Sequence, residues 1–166
     1  MGVTRAKYMG ISVSDVERSL VFYRVVLGLD PVMDMDVERH AGLDAVVAMT
    51  DTVGRVVMLA AWDSLVEMWC HENPVGRPLP NDYQAADRGV THVALQVEVV
   101  DATYRRVDAG FRAKSNPVYL GIHETCCVHG PDDEIIELFE DRSDREMMAR
   151  VTRCTIERRL ALRSSS

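Results

Sequence analysis

Two glutamates and a histidine stand in stretches that are otherwise apolar, and this is where the chain first shows chemistry. Glu137 lies within Ile135-Ile136-Glu137-Leu138-Phe139, and Glu67 within Leu65-Val66-Glu67-Met68-Trp69-Cys70-His71; His92 lies in Thr91-His92-Val93-Ala94-Leu95-Gln96-Val97. Side chains alternate between faces along a strand, so His92 shares a face with Ala94 and Gln96, and Glu137 shares one with Phe139. A carboxylate buried in such a strand is costly unless it is paired, hydrogen-bonded or bound to a metal. Glu67 and Glu137 are therefore the candidate proton-transfer groups. His71, on the strand face of Glu67 and Trp69, is a candidate acid, base or ligand, or a histidine at a pocket rim with no chemistry.

The elements that would position these residues occur twice. Tyr8-Met9-Gly10-Ile11-Ser12-Val13 has the pattern of His92 to Val97, which makes Tyr8 the counterpart of His92. Each strand is followed by a helix with one apolar stripe: Val16, Leu20, Tyr23 and Leu27 in the first copy, Val100, Tyr104, Val107 and Phe111 in the second. Ser14 and Glu17 have the spacing of a capping box, and Gly28 and Gly110 are placed to close the helices in a left-handed conformation.

Each half reads β-α-β-β-β. In the first, strands are expected over Asp30 to Val37, Arg55 to Trp62 and Leu65 to His71, with a polar, partly helical excursion from Glu38 to Gly54 as a lid. In the second they are expected near Ala113 to Leu120, near Thr125 to His129, and at Glu137 after a turn at Gly130-Pro131-Asp132-Asp133. The predicted organisation is a first module over residues 1–72, a linker over 73–88 that Pro74, Gly76, Pro78 and Pro80 keep irregular, a second module over 89–141, and a C-terminal helix with a frayed tail over 142–166.

Composition narrows the function. A net charge of −7 over 166 residues argues against a nucleic-acid surface. No apolar run is long enough to span a bilayer, no signal-type apolar region opens the chain, and Ala6 stands where myristoylation needs serine or threonine, so a cytoplasmic protein with no membrane partner is expected. The four cysteines, Cys70, Cys126, Cys127 and Cys154, have no C-x-x-C spacing and read as reduced. Cys126 and Cys127 face opposite sides of a strand, and packing explains them better than nucleophilic chemistry does. His40, His123 and His129 are expected at the surface.

The segments Val13-Ser14-Asp15-Val16-Glu17-Arg18-Ser19-Leu20-Val21-Phe22-Tyr23-Arg24-Val25-Val26-Leu27-Gly28-Leu29 and Gly130-Pro131-Asp132-Asp133-Glu134-Ile135-Ile136-Glu137-Leu138, set in paired modules, resemble the vicinal oxygen chelate superfamily (glyoxalase, bleomycin resistance and extradiol dioxygenase-like proteins) over residues 5–141. The resemblance implies an α+β fold, two paired βαβββ modules forming a curved mixed sheet around a pocket. It implies metal ligands at Tyr8, Glu67, His92 and Glu137, holding a divalent zinc, nickel, cobalt, manganese, magnesium or iron ion, or none. Tyr8 departs from the usual histidine or glutamine, which argues against dioxygenases and fosfomycin transferases. Two carboxylates fit glyoxalase I and methylmalonyl-CoA epimerase better.

The expected function is a glyoxalase- or epimerase-like enzyme, a metal-assisted isomerase, epimerase or lyase acting next to a carbonyl of a small organic, natural-product-like substrate. Its catalytic residues would be drawn from Glu67, Glu137, Tyr8 and His71. The alternative is a metal-free protein that binds or sequesters a small molecule, as bleomycin-binding relatives do, in which Glu67, His92 and Glu137 survive as a polar cluster and Tyr8 fills a lost ligand's space. Relatives of this size imply a homodimer. Inward residues such as Ser12, Met58, Trp69, Gln96 and Phe139 would wall the pocket.

Overall fold

The computed structural model describes residues 2–141; the expected C-terminal helix and Cys154 lie outside the described residues. The first half runs β1 (Tyr8–Ser12), α1 (Val16–Leu20) widening into a π-helical stretch (Val21–Val26), β2 (Asp30–Val37), α2 (Ala41–Val47), β3 (Val53–Ala61) and β4 (Ser64–Asn73). The second runs β5 (Val93–Gln96), α3 (Val100–Asp108), β6 (Val118–Tyr119), β7 (His123–His129) and β8 (Ile135–Asp141).

The strands form two four-stranded sheets, β1-β4-β3-β2 and β5-β8-β7-β6. In each sheet the first strand runs parallel to the last, β1 beside β4 and β5 beside β8, and the other pairings are antiparallel. The sequence repeat is therefore also a repeat of sheet order, and the fold is α+β. No helix among the described residues is long and apolar enough to cross a membrane.

One face of each sheet and the stripes of the helices bury a single core that spans both halves. It takes Val57, Leu59, Val66 and Met68 from the first sheet, Cys126, Val128, Ile136 and Leu138 from the second, and Val16, Phe22, Tyr23, Val100 and Val107 from the helices. Phe22 meets Tyr23 and Phe111 edge-on, with ring centroids 5.0 and 4.9 Å apart, which joins the first helix to the segment after α3. Arg55 on β3 bonds Asp34 on β2 through two nitrogens, at 2.8 and 2.7 Å, and Glu17 on α1 at 2.8 Å, locking the helix over its sheet.

Several local expectations are corrected. Asp15, not Ser14, caps α1: its carboxylate accepts from Arg18 N–H at 3.0 Å. The N–H of Ser14 donates instead to Asp132 at 2.9 Å, taking the place that Glu17 would have in a capping box. Gly28 does close its helix with φ +80°, whereas α3 ends at Ala109 in a right-handed conformation and needs no such residue. β5 begins at Val93, so His92 lies just before it, and the strand expected over 113–120 contracts to Val118–Tyr119 with an isolated bridge at Ala113.

Candidate functional site

The faces of the two sheets turned away from the helices carry the residues singled out by sequence. On β1, Met9 and Ile11 pack against the core, which leaves Tyr8, Gly10 and Ser12 on the open face. On β4, Val66 and Met68 go to the core and Leu65, Glu67, Trp69 and His71 to the open face. β8 follows the same rule, with Ile136 and Leu138 inward and Glu137 and Phe139 open. Gly10 to Ser14 share one cavity with Val90 to Val93, and Met9 shares a second with Ala94 to Glu98, so β1 and β5 lie alongside each other in opposite senses.

Register places the two glutamates identically. Glu67 is opposite Gly10 on β1, and Glu137 is opposite Ala94 on β5. A Cβ on Gly10 would stand 3.6 Å from Glu67 Oε2, so the carboxylate lies over the inner strand, and the small residue leaves it room.

The two halves then differ. His92 Nε2 is 3.3 Å from Glu137 Oε2, and the Thr125 hydroxyl donates to Glu137 Oε1 at 2.8 Å. His92 Nδ1 is 3.1 Å from the Thr91 hydroxyl, so both ring nitrogens are engaged. Tyr8, in the counterpart position, is 50% exposed. Glu137 and His92 are thus an oriented carboxylate–imidazole pair, part-exposed at 24% and 43% of their side chains. Cys127 is opposite Glu137, and burial first, then the Glu137 charge, pushes its thiol up. This favours the neutral thiol.

His71 stacks on Trp69 with ring centroids 5.0 Å apart and planes at 15°, and its Nδ1 is buried without a hydrogen-bond partner. His123 is not the plain surface residue expected: its ring packs on Phe139 at 4.5 Å and its Nδ1 is likewise buried and unpartnered. His129 is part-buried too, its Nδ1 3.3 Å from the Asp133 carbonyl. Of the expected wall, Ser12 lines the first cavity and Gln96 the second.

Sequence reasoning missed one group that borders the first cavity, a space of about 430 Å³. Tyr23, fully buried in the α1 stripe, donates its hydroxyl to Glu134 Oε1 at 2.6 Å, and Glu134 Oε2 accepts from Asp132 N–H at 2.8 Å. Burial raises the Glu134 carboxyl above its usual range despite these bonds, and burial with the Glu134 charge holds the Tyr23 phenol well above its own. The turn is built for this, since a Cβ on Gly130 would collide with the Glu134 carboxylate. The proximity of Gly130 to Glu134 was the one available signal.

The profile of the Glyoxalase/Bleomycin resistance protein/Dioxygenase superfamily matches residues 5–117. The chain belongs to this superfamily. A search of curated proteins finds no match. Among solved structures, a glyoxalase family protein from Bacillus cereus is similar with a TM-score of 0.76 at 18% identity, over 85% of this chain and 96% of that one. The trypanothione-dependent glyoxalase I of Leishmania major is similar at 0.63 and 19%, over 94% and 98%. TnmS3, an antibiotic binding protein from a Streptomyces species, is similar at 0.58 and 19%, over 85% and 98%. At these identities the likeness establishes the fold that members of the superfamily share, and the reaction is a separate question.

The divalent metal implied by superfamily membership can be tested on the donor set. Imidazole and carboxylate are suitable donors, and His92 Nε2 and Glu137 Oε2 are close enough to share an ion. Glu67 is instead placed over Gly10, and a phenol stands at Tyr8. Among the described residues no three His, Cys, Asp or Glu side chains come together as ligands. As placed, the residues do not fit a divalent ion, and what they offer is a carboxylate–imidazole pair in one half and a second carboxylate over the inner strand of the other.

Proposed function

We propose that this chain is a glyoxalase- or epimerase-like enzyme that moves a proton at a carbon next to a carbonyl of a small organic substrate. The observation that carries the reading is the equivalent placement of Glu67 over Gly10 and Glu137 over Ala94, one in each module, with an imidazole on Glu137 alone. A carboxylate from each module, brought to one substrate, would address opposite faces of one carbon, which isomerisation or epimerisation requires.

In this reading Glu137 is the base. The Thr125 hydroxyl and His92 hold its carboxylate, so a substrate C–H proton would pass to a carboxylate already fixed in place. The C–H electron pair moves into the enolate, whose oxygen needs a donor, and the Tyr8 hydroxyl is the candidate. Glu67 is the group proposed to return a proton to the opposite face. The chain is further proposed to work as a homodimer.

The test is deuterium uptake from D2O by a panel of α-hydroxyketones, α-keto hemithioacetals and 2-branched thioesters, followed by NMR. Exchange with at least one class, lost in Glu137→Gln and Glu67→Gln, supports the reading. No exchange across the panel sinks it.

A binding protein is the second reading. It is favoured by the apolar open face of β2, where Met33 and Met35 are exposed, and by the likeness to an antibiotic binding protein. Tight binding of an aromatic compound with no turnover would establish it.

A further inference from the structure

The cavity of about 430 Å³ beside the carboxylate–imidazole pair is roofed by the linker after β4, whose Val75 to Leu79 line it together with Gly10 to Ser14 and His92. Gly76 crosses close above β1, since a Cβ there would stand 3.5 Å from Ser12 Oγ. The volume is in the range that holds a small organic molecule.

The polar groups on this wall are unequal in what they have left to offer. Both carboxylates are occupied: Asp132 takes the N–H of Ser14 and the guanidinium of Arg18, and Glu134 takes Tyr23 and the Asp132 N–H. Both ring nitrogens of His92 are committed, to Thr91 and to Glu137. Arg77, by contrast, lines the cavity with no hydrogen-bond or ion-pair partner among the described residues. His71 lines it with a buried Nδ1 that also has no partner. A buried unpartnered ring nitrogen is costly and is ordinarily found where something else completes it. The wall therefore keeps one unpaired guanidinium and one unsatisfied ring nitrogen, while its two carboxylates are engaged.

We propose that this cavity binds the carboxylate end of the substrate, with the Arg77 guanidinium as the charged partner and His71 and the Ser12 hydroxyl as further hydrogen-bonding groups. A guanidinium suits two oxygens in one plane, and a single cation balances a monoanion; a phosphate dianion would want a second cation beside Asp132 and Glu134. The proposal rests on the acid–base reading above, and it narrows the substrate to an organic acid whose carbonyl lies toward Glu137.

Three probes that share one ring, benzoate, benzamide and phenyl phosphate, separate charge from shape. Titration of the full chain, followed by the Arg77 Nε–Hε and His71 imidazole NMR signals against sodium chloride of equal ionic strength, should give saturable shifts with benzoate at least about ten-fold tighter than with benzamide. Arg77→Gln should collapse that preference, and Arg77→Lys should keep part of it. Arg77 signals that follow salt alone, equal affinity for acid and amide, a preference that survives Arg77→Gln, or tighter binding of phenyl phosphate would each overturn the proposal. The same titration on Glu137→Gln keeps the two ideas apart. Acid preference there without proton exchange in wild type sinks only the catalytic reading, and exchange without acid preference sinks only this one.

Discussion

The Tyr23 hydroxyl reaches Glu134 Oε1 at 2.6 Å across 111 residues of sequence, and joins the first helix to the turn before β8. That turn also sets the start of the strand bearing Glu137, so the bond connects the buried stripe of one half to the site strand of the other.

Removing the donor should be costly. Tyr23→Phe keeps the ring and leaves a buried carboxylate short of one bond, so a loss of about 1–3 kcal/mol of stability is expected from denaturant melts. A change within error would mean that water replaces the phenol.

Glu134 also gives stability a sign in pH. Its carboxyl is raised in the folded state above the ordinary 4.5, so the native chain binds the extra proton and loses stability as pH climbs from 4.5 through the raised value. Above that value the loss is complete and flat. Glu134→Gln removes this term, so the stability of wild type relative to the variant should fall with rising pH in that window and then level off. A difference that is constant from pH 4 to 8 contradicts the raised carboxyl.

Metal content decides how the site residues are used. Protein purified without chelator should carry far less than one divalent ion per chain by elemental analysis, also after incubation with manganese, nickel, cobalt and zinc. Near-stoichiometric metal that His92→Ala and Glu137→Ala both lose would overturn this, and would draw Glu67 and Tyr8 in as further ligands.

Catalysis should track the oriented pair. Glu137→Gln is expected to lower proton exchange by about a hundredfold or more, and His92→Gln by less, since histidine orients the base and does not itself take the proton. Thr125→Val should fall between wild type and His92→Gln. Equal loss for His92→Gln and Glu137→Gln would assign the base to the imidazole.

The thiols should be slow. Burial and neighbouring negative groups push the Cys126 thiol up to about 11, and the Cys127 and Cys70 thiols are raised as well. Iodoacetamide at pH 8 should leave Cys126 unmodified in folded protein, read by mass spectrometry. Rapid native-state labelling there would contradict its burial.

Much of this was legible because the signals were periodic. The helix stripes, β1, the pairing of β3 with β4 and the place of both glutamates follow from alternation and from the repeat of Tyr8 to Val13 in His92 to Val97. What escaped depends on partners far away in sequence. Ser14 has the spacing of a cap, but Asp132 claims its N–H from 118 residues on, and Asp15 takes the role. Tyr23 sits where a stripe needs an apolar ring, so its hydroxyl gave no sign. Glu134, in a polar turn, has the local sequence of a solvated residue. Arg77 lies in a linker that offers no pattern, and its position on the cavity comes from where the linker crosses β1.

A cleft assembled from two copies of one module is close to two-fold symmetric, and a ligand lying across it has two nearly equivalent poses. The copies have drifted apart at matched positions: Tyr8 answers His92, Trp69 answers Phe139, and His71 answers Asp141. A pose that exchanges a hydrogen-bonded charged contact for a neutral one differs by about 1.5–3 kcal/mol. That is enough to populate one pose about ten-fold over its mirror. Under the proposed proton transfer, the handedness of the product would be set by the residues in which the two copies differ, and the carboxylates they share would only supply the protons.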